Sequence, residues 1–210
     1  MGHSVGDMRD DAPDAEERAT EWSLSVSSPD MAGTLPQVSA SVSRRRQIRW
    51  GDFSERTAKS AGVTVDEVVA RLTEPGDDAG ISLLEQAAEA AIRASDRHKI
   101  AILARVAAAA FSGDDAKIQR ARIVLPTVIE LEPPHIRALA TFSTLGHRLN
   151  SRKLATALGT EDETGALALI AQLVARGALF HVGSVFGAML AEYELSEFGR
   201  QVLEYLGEPD

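Results

Sequence analysis

The chain has 210 residues, is 44% apolar but only 5% aromatic, contains no cysteine and carries a formal net charge of -9. This length suits one or two domains with a real core, built mostly from Ala, Leu, Ile and Val. The acidic balance argues against sequence-independent nucleic-acid binding unless a local basic patch neutralises phosphates. Absent cysteine excludes disulfides and thiolate metal sites. No apolar run reaches the length of about 18 residues that a membrane span needs. The polar, acidic N-terminus has neither the basic nor the apolar part of a secretory signal, so the expected location is cytoplasmic.

Residues 1–43 read as a disordered acidic tail. They hold eight acids (Asp7, Asp10, Asp11, Asp14, Glu16, Glu17, Glu21, Asp30) against Arg9 and Arg18. The rest is largely Ser, Ala, Gly and Pro, which bury too little surface to offset the entropy of ordering. The alternation Trp22, Leu24, Val26 is a candidate strand or docking peptide. Gly2-His3-Ser4-Val5-Gly6 matches the nucleophile-elbow pattern, but no strand precedes it and no helix follows, so it reads as chance.

Charge then changes sign. Ser43-Arg44-Arg45-Arg46-Gln47-Ile48-Arg49-Trp50 is the one dense basic run. It opens a helical pattern through Ile48, Trp50, Phe53 and Ala58, interrupted by Gly51 and stopped by Gly62. Such a run fits phosphate contact, on nucleic acid or a lipid headgroup. It fits equally a solvated helix start, or a pairing surface for the acidic tail.

Thr64-Val65-Asp66-Glu67 is a capping box, and Val65, Val68, Val69 and Leu72 follow on one helical face. A turn from Thr73 to Gly80 precedes a helix over 81–95, with Leu84, Ala88, Ala91 and Ile92 on one side. Asp96 caps the next helix, whose face is Ile100, Leu103, Ala107 and Ala110. The small residues suit an antiparallel pair. Gly113-Asp114-Asp115 ends that helix and caps another, patterned by Ile118, Ala121, Ile123, Leu125, Val128, Ile129 and Leu131. Pro126 inside it predicts a kinked helix rather than two helices broken near Val124. Lys99-Ile100-Ala101-Ile102-Leu103-Ala104, followed by Leu131-Glu132-Pro133-Pro134-His135-Ile136, resembles helical domains of actinobacterial proteins and of helical proteins linked to bacterial phage resistance. That resemblance covers about 44–131, implies a helical domain, and opens a phage-defence reading by analogy alone.

From residue 132 the pattern reads helix, helix, long helix, hairpin, short helix. Pro133 fits a first helical turn, with Ile136, Leu139, Ala140 and Leu145 as a stripe. Ser151 is the expected cap of a short helix ending at Leu158-Gly159. Thr160-Glu161-Asp162-Glu163 is the expected capping box of a third helix, whose core face is Leu167, Ile170, Leu173 and Val174 and whose end is Arg176-Gly177. Ala178–Val182 and Glu192–Leu195 read as two wing strands, and Ser196 caps a closing helix. The second helix, with its leucine-alanine and leucine-glycine pairs, is similar to that of bacterial winged-helix regulators. Tyr193-Glu194-Leu195-Ser196-Glu197-Phe198-Gly199 resembles the strand-to-helix exit of MarR-like and PadR-like winged helices. The fold class expected is mainly α: a helical domain over 44–131 and a winged helix with a two-stranded wing over 132–210.

In DNA-binding members the third helix enters the major groove by its N-terminal end. Here that end carries Glu161, Asp162 and Glu163, which repel phosphates but suit the helix dipole. The wing offers no base. Its Phe186, Met189 and Leu190 suit a protein partner or packing on the helical domain. The DNA-compatible residues are His147, Arg148, Arg152 and Lys153 around the second helix, with Arg44, Arg45, Arg46 and Arg49 as a second patch that sequence cannot place beside them. His3, His98, His135, His147 and His181 lack metal-site spacing. Acid pairs such as Asp77-Asp78 and Asp114-Asp115 fall at turns and helix starts, where capping explains them. No catalytic motif or cofactor is expected. The expected function is a non-enzymatic regulatory or interaction protein, its winged helix contacting a protein partner or a second copy. A DNA-binding transcriptional regulator is the alternative.

Overall fold

The structure is a computed structural model that describes residues 36–75, 78–145, 148–184 and 191–207, with side chains described from Ser43 onward except that of Ser184. The protein is mainly α, with nine α-helices and one two-stranded antiparallel sheet among the described residues. In order these are α1 (Pro36–Ala61), α2 (Val65–Thr73), α3 (Ala79–Arg93), α4 (Arg97–Ala107), α5 (Asp115–Glu130), α6 (Pro133–Leu145), α7 (Ser151–Ala157), α8 (Glu163–Ala175), β1 (Leu179–Ser184), β2 (Ala191–Leu195) and α9 (Glu197–Leu206). A 3-10 turn, Ala108–Phe111, follows α4. Among the described residues, no helix is long and apolar enough to cross a membrane.

Most helix starts follow from a side-chain oxygen taking a backbone N–H that the first turn leaves unsatisfied. Thr64 and Glu67 form the reciprocal capping box of α2. Asp96 accepts from Lys99 N at 2.8 Å, Asp114 from Ala116 N at 2.9 Å, and Ser196 from Gly199 N at 2.8 Å. Three starts differ from the sequence expectation. The Asp78 carboxylate accepts from Ile81 N at 2.7 Å, so α3 begins at Ala79 rather than near 81. Asn150, not Ser151, caps α7, accepting from Lys153 N at 2.9 Å. Asp162, not Thr160, caps α8, accepting from Gly165 N at 2.9 Å, while Thr160 Oγ1 accepts from Asp162 N.

Helix α1 also departs from expectation. It begins at Pro36, so residues 36–43, read as tail, are helical, and it runs through Gly51 without a break. A mid-helix glycine costs about 1 kcal/mol relative to alanine. Phe53, fully buried, and half-buried Trp50, 5.9 Å away between ring centroids, supply apolar packing on either side of it. Helix α5 is a single helix across Pro126, as expected. Its proline is exposed, so the lost hydrogen bond lies on the solvent side.

Helices α3 and α4 pack on each other and both meet α5. The last elements have winged-helix order. Helix α8 leads through Arg176 and Gly177 (φ 72°) into β1, and β1 pairs with β2 from Leu179↔Leu195 to Ser184↔Ala191, with a bulge between His181 and Gly183. One further pairing is invisible in the sequence pattern. Leu149, between α6 and α7, bridges Tyr193 through two backbone hydrogen bonds of 3.1 and 2.9 Å, adding a one-residue third strand to the edge of the hairpin.

Residues 39–210 form one compact unit; of the other unit, 1–38, only the first turn of α1 is described. The segments read as 44–131 and 132–210 share one contiguous core, from Leu83 and Leu103 through Leu125 and Leu139 to Ile170, Leu179 and Val202. Helix α9 packs on α4 and α5 as well as on α6. Its C-terminal carbonyl at Leu206 accepts from the Arg105 guanidinium of α4. Gly207, at φ 68°, follows, and a Cβ there would collide with that guanidinium. At the other end of α9, a Cβ on Gly199 would collide with the Ala178 carbonyl. That carbonyl already accepts from Ser196 N at 3.0 Å and Ser196 Oγ at 3.1 Å. The serine and glycine of the Tyr193–Gly199 run thus dock the closing helix on the start of the wing.

Candidate functional site

Two basic clusters are candidates, and their surroundings differ. In the winged segment, Arg148 stands next to the bridging Leu149, and its Nε donates to Glu194 Oε1 on β2 at 2.6 Å. This hydrogen bond, reinforced by the charges of Glu194 and Glu192, raises the Arg148 pKa above its ordinary value. Arg152 Nε, on α7, donates to Glu163 Oε1 in the first turn of α8 at 2.8 Å. Lys153 Nζ lies 4.0 Å from Glu192 Oε1 on β2. His147 lies outside the described residues. Each described cation of this cluster is therefore matched by a carboxylate from another element. Exposed pairs of this kind add little stability. They do change recognition: a phosphate that takes the cation must displace a carboxylate, or sit beside it.

Arg44, Arg45, Arg46 and Arg49 of α1 have no such partners. Arg44, Arg45 and Arg46 are exposed, and among the described residues none has an ion pair or side-chain hydrogen bond. Arg49 is half-buried, and its Nη1 donates to the Ile92 carbonyl near the end of α3 at 3.0 Å. Arg45 and Arg49 line a cavity of about 210 Å³ with Ile48, Asp52, Ser95, Asp96, Arg97 and Ile100. Arg97, at the start of α4, is a residue that sequence reasoning missed. Among the described residues, no hydrogen bond, ion pair or cavity links this cluster to Arg148, Arg152 and Lys153.

Phe186, Met189 and Leu190, the expected contact residues of the wing, lie outside the described residues. On the described strands, Phe180 is 44% exposed opposite Glu194, and His181 meets Tyr193 edge-on at 5.5 Å. The exposed face of α8 is smooth: Thr164, Ala168, Ala171 and Ala175 follow one another at helical spacing. The three acids at its start serve the helix or its neighbour. Asp162 is the cap, Glu163 holds Arg152, and Glu161 gives its carbonyl to Glu163 N.

Two buried polar groups have structural partners. His135 Nδ1 accepts from Glu132 N at 3.1 Å, so the neutral ring carries its proton on Nε2, which donates to Gln172 Oε1 of α8. Lys99, only 6% exposed, points its ammonium at the end of α5, donating to the Ile129 carbonyl at 2.7 Å and to that of Leu131. It closes the C-terminus of α5, where a cation is favoured, although burial lowers its pKa. It also lines a second cavity, of about 340 Å³, with Arg93, Ser95, Ile129 and Glu132. His98 and His181 are exposed, His3 and His147 lie outside the described residues, and no cluster of three or more metal-ligating side chains occurs among the described residues.

No family model, curated protein or solved structure matches the chain.

Proposed function

We propose that the protein is a non-enzymatic regulatory or interaction module whose winged-helix segment makes protein contacts, with a second copy of the chain as the first partner to test. The observation that carries this reading is the state of its would-be DNA face. Arg148, Arg152 and Lys153 are each paired with an acid. The exposed face of α8 presents Thr164, Ala168, Ala171 and Ala175, with no base to meet phosphates or base edges. Small side chains let a second helix approach closely. The order of the last elements fits the likeness to MarR-like and PadR-like winged helices, and the charges move this one away from groove reading. Cytoplasmic location fits the cysteine-free composition.

Sedimentation velocity over a concentration series tests the reading. The expected result is a reversible dimer that Ala168→Glu with Ala171→Glu dissociates while the melting transition stays in place. A monomer at every concentration, together with affinity capture whose partners ignore the double substitution, overturns it.

A further inference from the structure

Three arginines without a carboxylate partner meet at a second surface, away from α7 and the hairpin. Helix α1 brings Arg45 and Arg49 to one side, one turn apart, because four residues return to the same helical face. The start of α4 brings Arg97 to the same cavity of about 210 Å³. Arg49 is held in place by its bond to the Ile92 carbonyl, which uses only one of the donors of its guanidinium. The two acids in the lining each have a partner outside the three arginines. Asp52 Oδ1 accepts from Arg56 Nε at 2.7 Å, and its other oxygen is buried without a hydrogen-bond partner. Asp96 caps α4 through Lys99 N and accepts from Ser95 Oγ at 3.3 Å. Three guanidinium groups thus surround one recess, and no described carboxylate pairs with any of them.

We propose that this α1–α4 corner binds the phosphate backbone of nucleic acid without reading its sequence. Planar guanidinium forks match phosphate oxygens in pairs. A strand is favoured over a single phosphate ion because the positive surface continues past the recess: Arg44 and Arg46 stand exposed on the same helix. A strand is favoured over a lipid surface because, among the described residues, the corner has one exposed large apolar side chain, Ile48, at 54%, whereas a helix lying on a membrane needs an apolar face. The net charge of -9 does not oppose this locally, since eight of the 31 acids precede residue 44 and the rest of the chain is close to charge balance.

The test is fluorescence anisotropy of the full chain with a short labelled DNA duplex, titrated at several salt concentrations from about 50 mM upward. Binding is expected at low salt and is expected to weaken steeply as salt rises. Arg45→Ala with Arg97→Ala is expected to lower affinity about tenfold and to reduce the salt slope by about two, one for each phosphate left without its arginine. Arg152→Ala with Lys153→Ala is expected to change neither. Arg45→Lys with Arg97→Lys keeps the charges and is expected to retain most of the slope while losing part of the affinity, which separates phosphate contact from a folding defect. No binding at low salt, an equal loss in the Arg152→Ala, Lys153→Ala protein, or binding to anionic vesicles or inorganic phosphate without binding to DNA would each overturn the proposal.

Discussion

The two basic clusters have similar composition and opposite electrostatic surroundings. Arg148, Arg152 and Lys153 each face a carboxylate brought from another element, Glu194, Glu163 and Glu192. Arg45 and Arg97 face a recess with no described carboxylate paired to them. A count of bases along the chain treats these clusters alike. Only the fold distinguishes a cation that is already compensated from one that can still accept an anion, and for recognition that difference outweighs the count.

The compensation in the winged segment depends on β2, because β2 carries both Glu192 and Glu194. The largest effect is therefore expected where β2 is anchored. Gly199→Ala drives a methyl group into the Ala178 carbonyl, where Ser196 docks. We expect a loss of about 3 kcal/mol or more in denaturant unfolding, in the range of severe packing defects. Weaker protection of the Tyr193 amide in hydrogen exchange should accompany it. An unchanged midpoint would mean that the closing helix is not seated as described.

Lys99 sharpens the comparison by being a third kind of cation, matched to backbone carbonyls instead of a carboxylate or a ligand. Lys99→Met fills similar space and leaves the carbonyls of Ile129 and Leu131 without their donor. The expected loss is about 1–3 kcal/mol. Because burial holds the Lys99 pKa below 10.5 in the folded state, the unfolded chain binds more protons between the lowered value and 10.5. Stability should therefore rise with pH across that alkaline window, and Lys99→Met should remove the rise. The smallest effect belongs to the exposed arginines. Arg45→Ala with Arg97→Ala should shift unfolding by less than about 0.5 kcal/mol, as surface changes do. A larger loss would make these residues part of the scaffold.

What the sequence made legible is what is decided within a few residues. The caps of Thr64, Asp96, Asp114 and Ser196 each act over two or three positions, so residue type and spacing suffice. Where neighbouring polar residues compete for one helix start, as Asn150 does with Ser151 and Asp162 with Thr160, the winner depends on backbone geometry that spacing does not encode. The run through Gly51 was illegible for a related reason: packing by Phe53 and Trp50 outweighs a local preference. The candidate sites were only half legible. The basic residues could be named, but Arg148 and Glu194 are 46 positions apart, and the bridge of Leu149 to Tyr193 that sets the edge of the wing is a single residue long. Arg97 joins Arg45 only through the corner between α1 and α4.

Carboxylates hold Arg148, Arg152 and Lys153 silent toward phosphate. The decisive measurement is duplex DNA affinity at low salt for the Glu163→Gln, Glu192→Gln, Glu194→Gln protein beside the unaltered chain. Releasing Arg152, Lys153 and Arg148 should raise affinity about tenfold or more and steepen the salt slope by up to about three. Unchanged affinity and slope, in a protein that still folds, would contradict it.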